Sequence, residues 1–581
     1  LIDLRSNEVK NFAVDQFRSR LRVVYLLLGC AALGLVARSA DLQLFDDGSL
    51  LKEGRARSTR VSELAAHRGN IYDRNGEPLA ISTPVDTVVI NPQELNQATD
   101  QIPKLAEAMN RETKWIEEKL SSNLDRNFVY LQRHMNPKDA AQVKALNIPG
   151  ISLKREYRRY YPAGEVTGHI LGFTNIDHVG REGLEMAYDR RLGGLKGSKL
   201  VIQDKQGHSV EDVESIAPVV PGQDLKTSID LRIQYLAYRE LKKAVQDRRA
   251  ASGSAVVIDV NTGEILAMVN QPTYNPNDVQ QRDPAGYRNR AALNLIEPGS
   301  IFKPFVAAAA ISTDKFHADT IIDTSPGFLT VGVKTISDEH PLGAASLTRI
   351  MARSSNVGMS KMALQLSADQ IWSTLNAFGF GRKTASGFPG EAAGMLNNPS
   401  IKSWSRISQA SASYGYGLQV TPLQLAQAYA ILGSGGIARP LTFERINVPV
   451  KGERVIDQSV AHEIVKLMLA VVDSPDGTGK KAKIDGYQVA GKTGTAKIAG
   501  VGGYSQARYV ASFGGIVPAS NPRFACVVVI NDPRDGSYYA ADVAAPVFAE
   551  IMSGTLRILS VPLDSVETVP ESNIVQAEVV P

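Results

Sequence analysis

The first strong pattern along the chain is a run without polar interruption. Val23 to Ala37, VVYLLLGCAALGLVA, carries no charge. Leu21 and the aliphatic stems of Arg22 and Arg38 lengthen it toward a bilayer span. Arg18, Arg20 and Arg22 precede the run, and Asp41, Asp46 and Asp47 follow it. The excess of basic residues on one side places the N-terminus in the cytoplasm and everything after residue ~40 outside. A cleaved signal peptide fits less well, because a cut after Ala40 puts Arg38 where a small side chain is wanted. A buried core helix is the remaining alternative.

Beyond the run the period changes to two. His67 to Pro92 alternates apolar and polar residues around Asp73-Arg74-Asn75-Gly76, whose Asn-Gly suits a hairpin. Tyr157 to Asn175 is rich in glycine and turn residues. Neither stretch gathers a nucleophile and a base, so 45–215 reads as a pedestal. A Pro- and Gly-marked boundary falls near 215–225. After it, GSAVVIDVNTGEILAMVN predicts a strand pair folded at Asn261-Thr262-Gly263, apolar enough for a buried sheet. Helical patterns occupy roughly 300–440, including PLQLAQAYAILG with Gly433 at its end. Strand patterns return at 487–497, 509–517 and 524–531. Strands, a helical block, then strands imply an α+β domain whose antiparallel sheet joins its first and last segments in space. From 561 the chain lacks aromatics and helical period, and a disordered tail is expected over 561–581. The divisions are therefore 1–22 cytoplasmic, 23–40 transmembrane, 45–215 pedestal, 216–560 the large domain, and the tail.

Composition narrows the function. Of 581 residues, 43% are hydrophobic and 21% charged, as in a globular protein. Lys+Arg 64 against Asp+Glu 60 leaves a formal charge of +4, which argues against a nucleic-acid partner. REYRRYY is the one basic stretch with aromatics. Cys30 and Cys526 lie far apart and read as small buried hydrophobes, so no disulfide framework is expected. HEIVK, His462 to Lys466, lacks the second histidine of a zinc protease and reads as a helix surface. No metal and no cofactor are expected.

The chemistry turns on residues 486–500, GYQVAGKTGTAKIAG, which fit two incompatible patterns. Gly486 to Thr493 matches a phosphate-binding loop. Such a loop must open a helix, yet Gly494, Gly500, Gly502 and Gly503 follow, each costing a helix about 1 kcal/mol relative to alanine. Lys492-Thr493-Gly494 also matches K-T-G, one of three signatures of enzymes that acylate an active-site serine. The partner S-x-x-K is Ser300-Ile301-Phe302-Lys303, opening an apolar small-residue run whose burial favours a neutral Lys303 amine. The partner S-x-N is Ser354-Ser355-Asn356. Decoys exist at Ser49 to Lys52, Ser312 to Lys315 and Ser121 to Asn123; order and context separate them.

With these three signatures the chain resembles the class B penicillin-binding proteins, membrane-anchored D,D-transpeptidases of the bacterial cell wall. The likeness runs from the anchor to about residue 555 and includes HRGNIYDRNGEPLA, YYPAGEVTGHILGFTN, RNRA, EPGS, SSN, GKTGTAK, SYGYGLQVTPLQLAQAY and AAPVF. YGYGLQVTP and KTGTAK look most like the division type, penicillin-binding protein 3. The resemblance implies a serine β-lactamase/transpeptidase-like domain, an antiparallel sheet flanked by helices, on an N-terminal dimerisation or pedestal domain with one transmembrane helix. It implies Ser300 as nucleophile, Lys303 as base, Ser354 as proton relay, and Asn356 as holder of Lys303 and a substrate amide. Lys492, Thr493 and Thr495 would grip the substrate carboxylate, Gly494 would leave room for a peptide, and the N–H groups of Ser300 and Thr495 would form an oxyanion hole. Implied partners are stem peptides ending in D-Ala-D-Ala, β-lactam antibiotics, a polytopic glycosyltransferase and divisome proteins. The implied location is the inner membrane, single-pass, with the catalytic domain in the periplasm. Ile301-Phe302 and the alanines at 540, 541 and 544 depart from the usual family residues. An elongation-type or specialised paralogue, a β-lactamase or β-lactam sensor, and a scaffold that activates a glycosyltransferase stay open as alternatives.

Overall fold

A computed structural model describes residues 4–41, 43, 59–203, 209–281, 283–500 and 503–564. Helix α1 runs Leu4–Ala40, and its stretch Phe17–Ala40 is long and apolar enough to cross a membrane. The three arginines before the apolar run lie on this one continuous helix. Cys30 departs from expectation: it is exposed, because among the described residues nothing buries the apolar stretch of α1. Asp46, Asp47, the Ser49 to Lys52 decoy and residues 565–581 of the expected tail lie outside the described residues, whereas its first residues are ordered: Val561 is buried and Asp564 accepts from the Gln488 N–H at 2.7 Å.

The chain forms two compact units. One comprises Leu1–Ala65, Asp86–Arg155 and Lys196–Val219. Its core gathers Val88, Ile90, Leu105, Ile116, Leu131 and Val143 from short helices and strands. A separate three-stranded antiparallel sheet is formed by Thr59–Leu64, Gly197–Gln203 and Ser209–Ala217. The Ser121 decoy sits here, where Ser122 and Asn123 bond backward to the carbonyls of Glu118 and Lys119 and finish a helix.

The other unit comprises Ala66–Val85, Glu156–Leu195 and Val220–Pro581, so HRGNIYDRNGEPLA and YYPAGEVTGHILGFTN pack with the large domain. A buried ion network explains the arginines in these stretches. Arg68 and Arg159 each donate to one oxygen of Glu185, at 2.7 and 2.6 Å, and Arg68 also reaches Asp189 at 2.7 Å. All three of Arg68, Arg159 and Glu185 are buried, so each charge depends on its partners.

The centre of this unit is one sheet. In chain order its parts are helix α2 (Leu231–Asp247), strands β1 (Ser252–Asp259) and β2 (Ile265–Gln271), and helix α3 (Lys303–Ile311). The hairpin β3 (Phe328–Val331) and β4 (Lys334–Ser337) leads to helix α4 (Asn356–Ala363). Helices α5 (Pro422–Gly433) and α6 (Gln458–Asp473) precede strands β5 (Ala490–Gly500), β6 (Gly503–Val517) and β7 (Phe524–Asn531), and helix α7 (Ala545–Ile558) closes the unit. Strand order is β2-β1-β7-β6-β5, antiparallel throughout, so the first and last segments do join: Val256 pairs with Val527. Side chains alternate between two cores. Val256, Ile258, Val527 and Val529 face the cluster with α3, α5 and α6, while Ala255, Val257, Cys526 and Val528 face that with α2 and α7. The Cys526 thiol is inert by burial, which pushes its pKa up. The helical block of 300–440 is interrupted at β3 and β4, where FLTVGVKTIS alternates around the turn at Gly332. His462 and Lys466 are exposed on α6, as expected of a helix surface.

Candidate active site

Sequence dictates a sharp entry to α3. Pro298 and Gly299 turn the chain, with Gly299 at φ +63°, and Gly299–Phe302 form a 3₁₀ turn that runs straight into α3 at Lys303. In a 3₁₀ turn residues three apart eclipse, which puts the Ser300 and Lys303 side chains on one line. All nine residues of α3 are buried. Phe302 packs at a tilt against Phe380, ring centroids 4.7 Å apart, and Phe305 against Phe378 at 5.1 Å, while the Tyr429 hydroxyl donates to the Ile301 carbonyl at 2.8 Å. The turn bearing Ser300 is therefore rigid.

Lys303 Nζ meets the second signature. It donates to Asn356 Oδ1 at 2.9 Å, to Ser354 Oγ at 3.1 Å and, at shorter range, to the Ser354 carbonyl. Ser354 adopts φ +58°, a left-handed conformation that costs a non-glycine residue about 1–3 kcal/mol and here brings its hydroxyl and its carbonyl onto the same amine. Asp338, which no sequence motif marks, fixes this loop. Its carboxylate accepts from the Ser355 hydroxyl and the Asn356 N–H, both at 2.5 Å, and from the Val357 N–H at 2.9 Å, capping α4. Burial holds the Lys303 pKa well below the usual lysine value; the charge of Lys492 adds to this, and Asp338 opposes it.

The third signature lies on β5, an edge strand of the sheet. No helix follows Lys492, so the phosphate-loop alternative fails on structure as well. Thr493 and Thr495 line the cleft, whereas Lys492 is fully buried behind them, donating to the Thr493 carbonyl at 3.1 Å and hydroxyl at 3.4 Å. Burial lowers its pKa from 10.5 to about 7. Thr478, also unmarked in sequence, bonds the Thr493 hydroxyl at 2.9 Å. Gly494 is required by contact: a Cβ there would lie 2.6 Å from Ser512 Oγ and 2.9 Å from the Ile301 backbone nitrogen. Gly494→Ala is accordingly expected to push β5 off the Ser300 turn. It should destabilise the protein by about 1–3 kcal/mol and lower the serine's acylation rate, as read by thermal melting and by rate measurement.

Ser300, Ser354, Asn356, Thr493 and Thr495 thus line a single cleft of about 710 Å³, with Lys303 and Lys492 buried at its walls. The decoy at Ser312 to Lys315 lies at the opposite end of α3, where both residues are exposed. The far wall of the cleft is aromatic. Tyr509 and Tyr538 stack at 4.1 Å, Tyr538 and Tyr539 at 4.6 Å, and the Ala540 N–H donates to Thr495 Oγ1 at 3.0 Å. The arrangement suits nucleophilic acyl transfer: a hydroxyl, a buried amine one turn on, a relay hydroxyl, and threonine hydroxyls on a strand edge.

Known proteins share this plan. Residues 253–553 match the penicillin binding protein transpeptidase domain, and residues 63–227 match the penicillin-binding protein dimerisation domain. The chain is 43% identical over 551 residues to peptidoglycan D,D-transpeptidase FtsI of Escherichia coli K12, covering 94% of this chain and 93% of that one. It is 38% identical to the probable peptidoglycan D,D-transpeptidase PbpC of Pseudomonas aeruginosa, covering 95% and 97%. Among solved structures, penicillin binding protein 3 of Mycobacterium tuberculosis, complexed with aztreonam, superposes with a TM-score of 0.67 at 25% identity, covering 86% of this chain and 98% of that one.

Proposed function

The chain belongs to the class B penicillin-binding proteins, and from that premise we propose a residue-by-residue account of its chemistry. It is a serine-type peptidoglycan D,D-transpeptidase of the penicillin-binding-protein-3 type, and β-lactams acylate it. Ser300 Oγ attacks the carbonyl between the two terminal D-alanines of a stem peptide. The new C–O bond forms as the C–N bond breaks, and the serine proton ends on the departing D-alanine amine. An amine of a neighbouring stem peptide then attacks the acyl carbon, the ester breaks, and the serine regains a proton.

Lys303 is the base for the first step, because its buried amine is disposed to be neutral. Ser354, within 3.1 Å of Lys303 Nζ, relays the proton to the leaving amine, and Asn356 holds Lys303. Thr493 and Thr495 bind the terminal carboxylate by hydrogen bonds, with Lys492 behind them supplying positive charge as a bound anion raises its pKa. Backbone N–H groups of Ser300 and Thr495 stabilise the oxyanion. The observation that carries this reading is the meeting of Lys303 Nζ with Ser354 and Asn356 one turn from Ser300.

Helix α1, long and apolar enough to cross a membrane, supports a single-pass anchor. Arginines before the apolar run support an inner-membrane anchor with the catalytic domain in the periplasm. We place the reaction at the division septum, with a polytopic glycosyltransferase and divisome proteins as partners. The test of the chemistry uses the full chain in detergent and a pentapeptide ending in D-alanyl-D-alanine. Free D-alanine should accumulate, and mass mapping should find the trapped acyl group on the peptide containing Ser300. No release, or an adduct elsewhere, sinks the account.

A further inference from the structure

The mouth of the cleft carries a carboxylate that the reaction does not use. Asp338 is fully engaged in capping α4. The next residue, Glu339, is exposed and reaches the opposite way, its Oε1 accepting from the Tyr539 phenol at 3.2 Å. Tyr539 belongs to the aromatic wall beyond β6, held by its stack on Tyr538 and by the Ala540 to Thr495 bond. Glu339 and Tyr539 therefore meet across the entrance, one from the serine–asparagine side and one from the β5 side.

Glu339 forms no ion pair among the described residues, although Arg353, Lys480 and Lys481 line the same cleft. Asp542 is paired with Lys481 at 2.7 Å, and Asp476 lies 3.8 Å from Arg349. Glu339 has a neutral phenol as its partner, and among the described residues no cation lies within 4.0 Å of it. The tyrosine rings opposite add faces that attract cations. A ligand whose carbonyl sits at Ser300 must thread its remaining length between these two features or past them.

We propose that Glu339 selects ligands of this cleft by charge, favouring those with an ammonium group on the portion at the mouth and disfavouring those with a carboxylate there. The inference rests on the serine acylation proposed above. It adds a discriminating residue that touches neither the nucleophile nor the carboxylate grip.

Three penicillins test it, identical but for one substituent on the side-chain α carbon: hydrogen in benzylpenicillin, ammonium in ampicillin, carboxylate in carbenicillin. With each, Ser300 oxygen bonds to the lactam carbonyl carbon, the lactam C–N bond opens, and the hydroxyl proton ends on the lactam nitrogen. Second-order acylation rates are measured for full-length wild type and Glu339→Gln, each divided by the benzylpenicillin rate of the same protein so that general changes in reactivity cancel. The ampicillin-to-carbenicillin ratio should fall about fivefold or more in Glu339→Gln, the scale of one unit charge acting across a partly solvated gap. In wild type alone the ratio should contract as salt rises from about 0.05 to about 0.5 M. A ratio within about twofold of wild type in the variant overturns the proposal. Should the variant not fold, a wild-type ratio indifferent to salt overturns it. Failure of benzylpenicillin to acylate wild type, or acylation that survives loss of Ser300, sinks the underlying reading instead.

Discussion

Replacing Ser300 with alanine is expected to abolish covalent labelling by a fluorescent penicillin, whereas Ser312→Ala labels like wild type. Both serines begin an S-x-x-K stretch, so the pair separates motif from environment. Ser300 lies in the rigid turn whose next helical residue is the buried Lys303, and it lines the cleft with Thr493 and Thr495. Ser312 ends the same helix, with its own lysine, Lys315, exposed to water. Labelling is read from a denaturing gel. A fluorescent band in Ser300→Ala, or its loss in Ser312→Ala, would remove the basis for assigning the nucleophile.

Lys303→Met is the second large effect. Methionine fills a similar volume in an apolar setting but supplies no lone pair, so the acylation rate constant should fall by about 10²–10⁴-fold. A drop of less than about tenfold would assign the base elsewhere. The pH dependence follows from the direction of the shift. Burial, with the Lys492 charge, lowers the pKa of Lys303, so the folded protein holds the neutral amine at pH values where a free lysine would be protonated. The rate should therefore decline as pH falls through this lowered pKa. An alkaline decline is expected as well, because Lys492, at about 7 in the unliganded site, must carry charge to hold an anionic ligand. Lys303→Met should lose the acid limb, a readout that simple misfolding would not produce.

The cleft also explains why its neighbours are small or rigid. Gly299 turns at positive φ against β5, where a Cβ would lie 2.9 Å from that of Ala496, and Gly494 approaches the Ile301 backbone in the same layer. The edge strand and the nucleophile-bearing turn thereby approach closely where each carries a glycine. Close approach is what lets hydroxyls on a strand and a serine on a helix address one substrate.

Local rules settled much of this in advance. A charge-free run can only be a span or a buried helix, period-two alternation specifies strands, and residues three apart across a helical start share a face; all are short-range and written in neighbouring residues. The three signatures could be chosen over their decoys because each stood beside an apolar helix or strand. Strand order was another matter. Ala255 to Ile258 and Cys526 to Val529 are apolar on both faces, so no face marks which neighbour each must take, and β1 finds β7 across more than half the domain only through packing. The burial of Lys492 behind Thr493 likewise depends on what the sheet edge packs against. Asp338, Thr478, Tyr429, Glu339 and Tyr539 fall outside the three signatures, and their roles come from partners 15 to 200 residues away. A hydrogen bond between distant residues leaves no trace in sequence spacing, so the amino acids named the reacting groups and the tertiary structure alone decided what holds, neutralises and guards them.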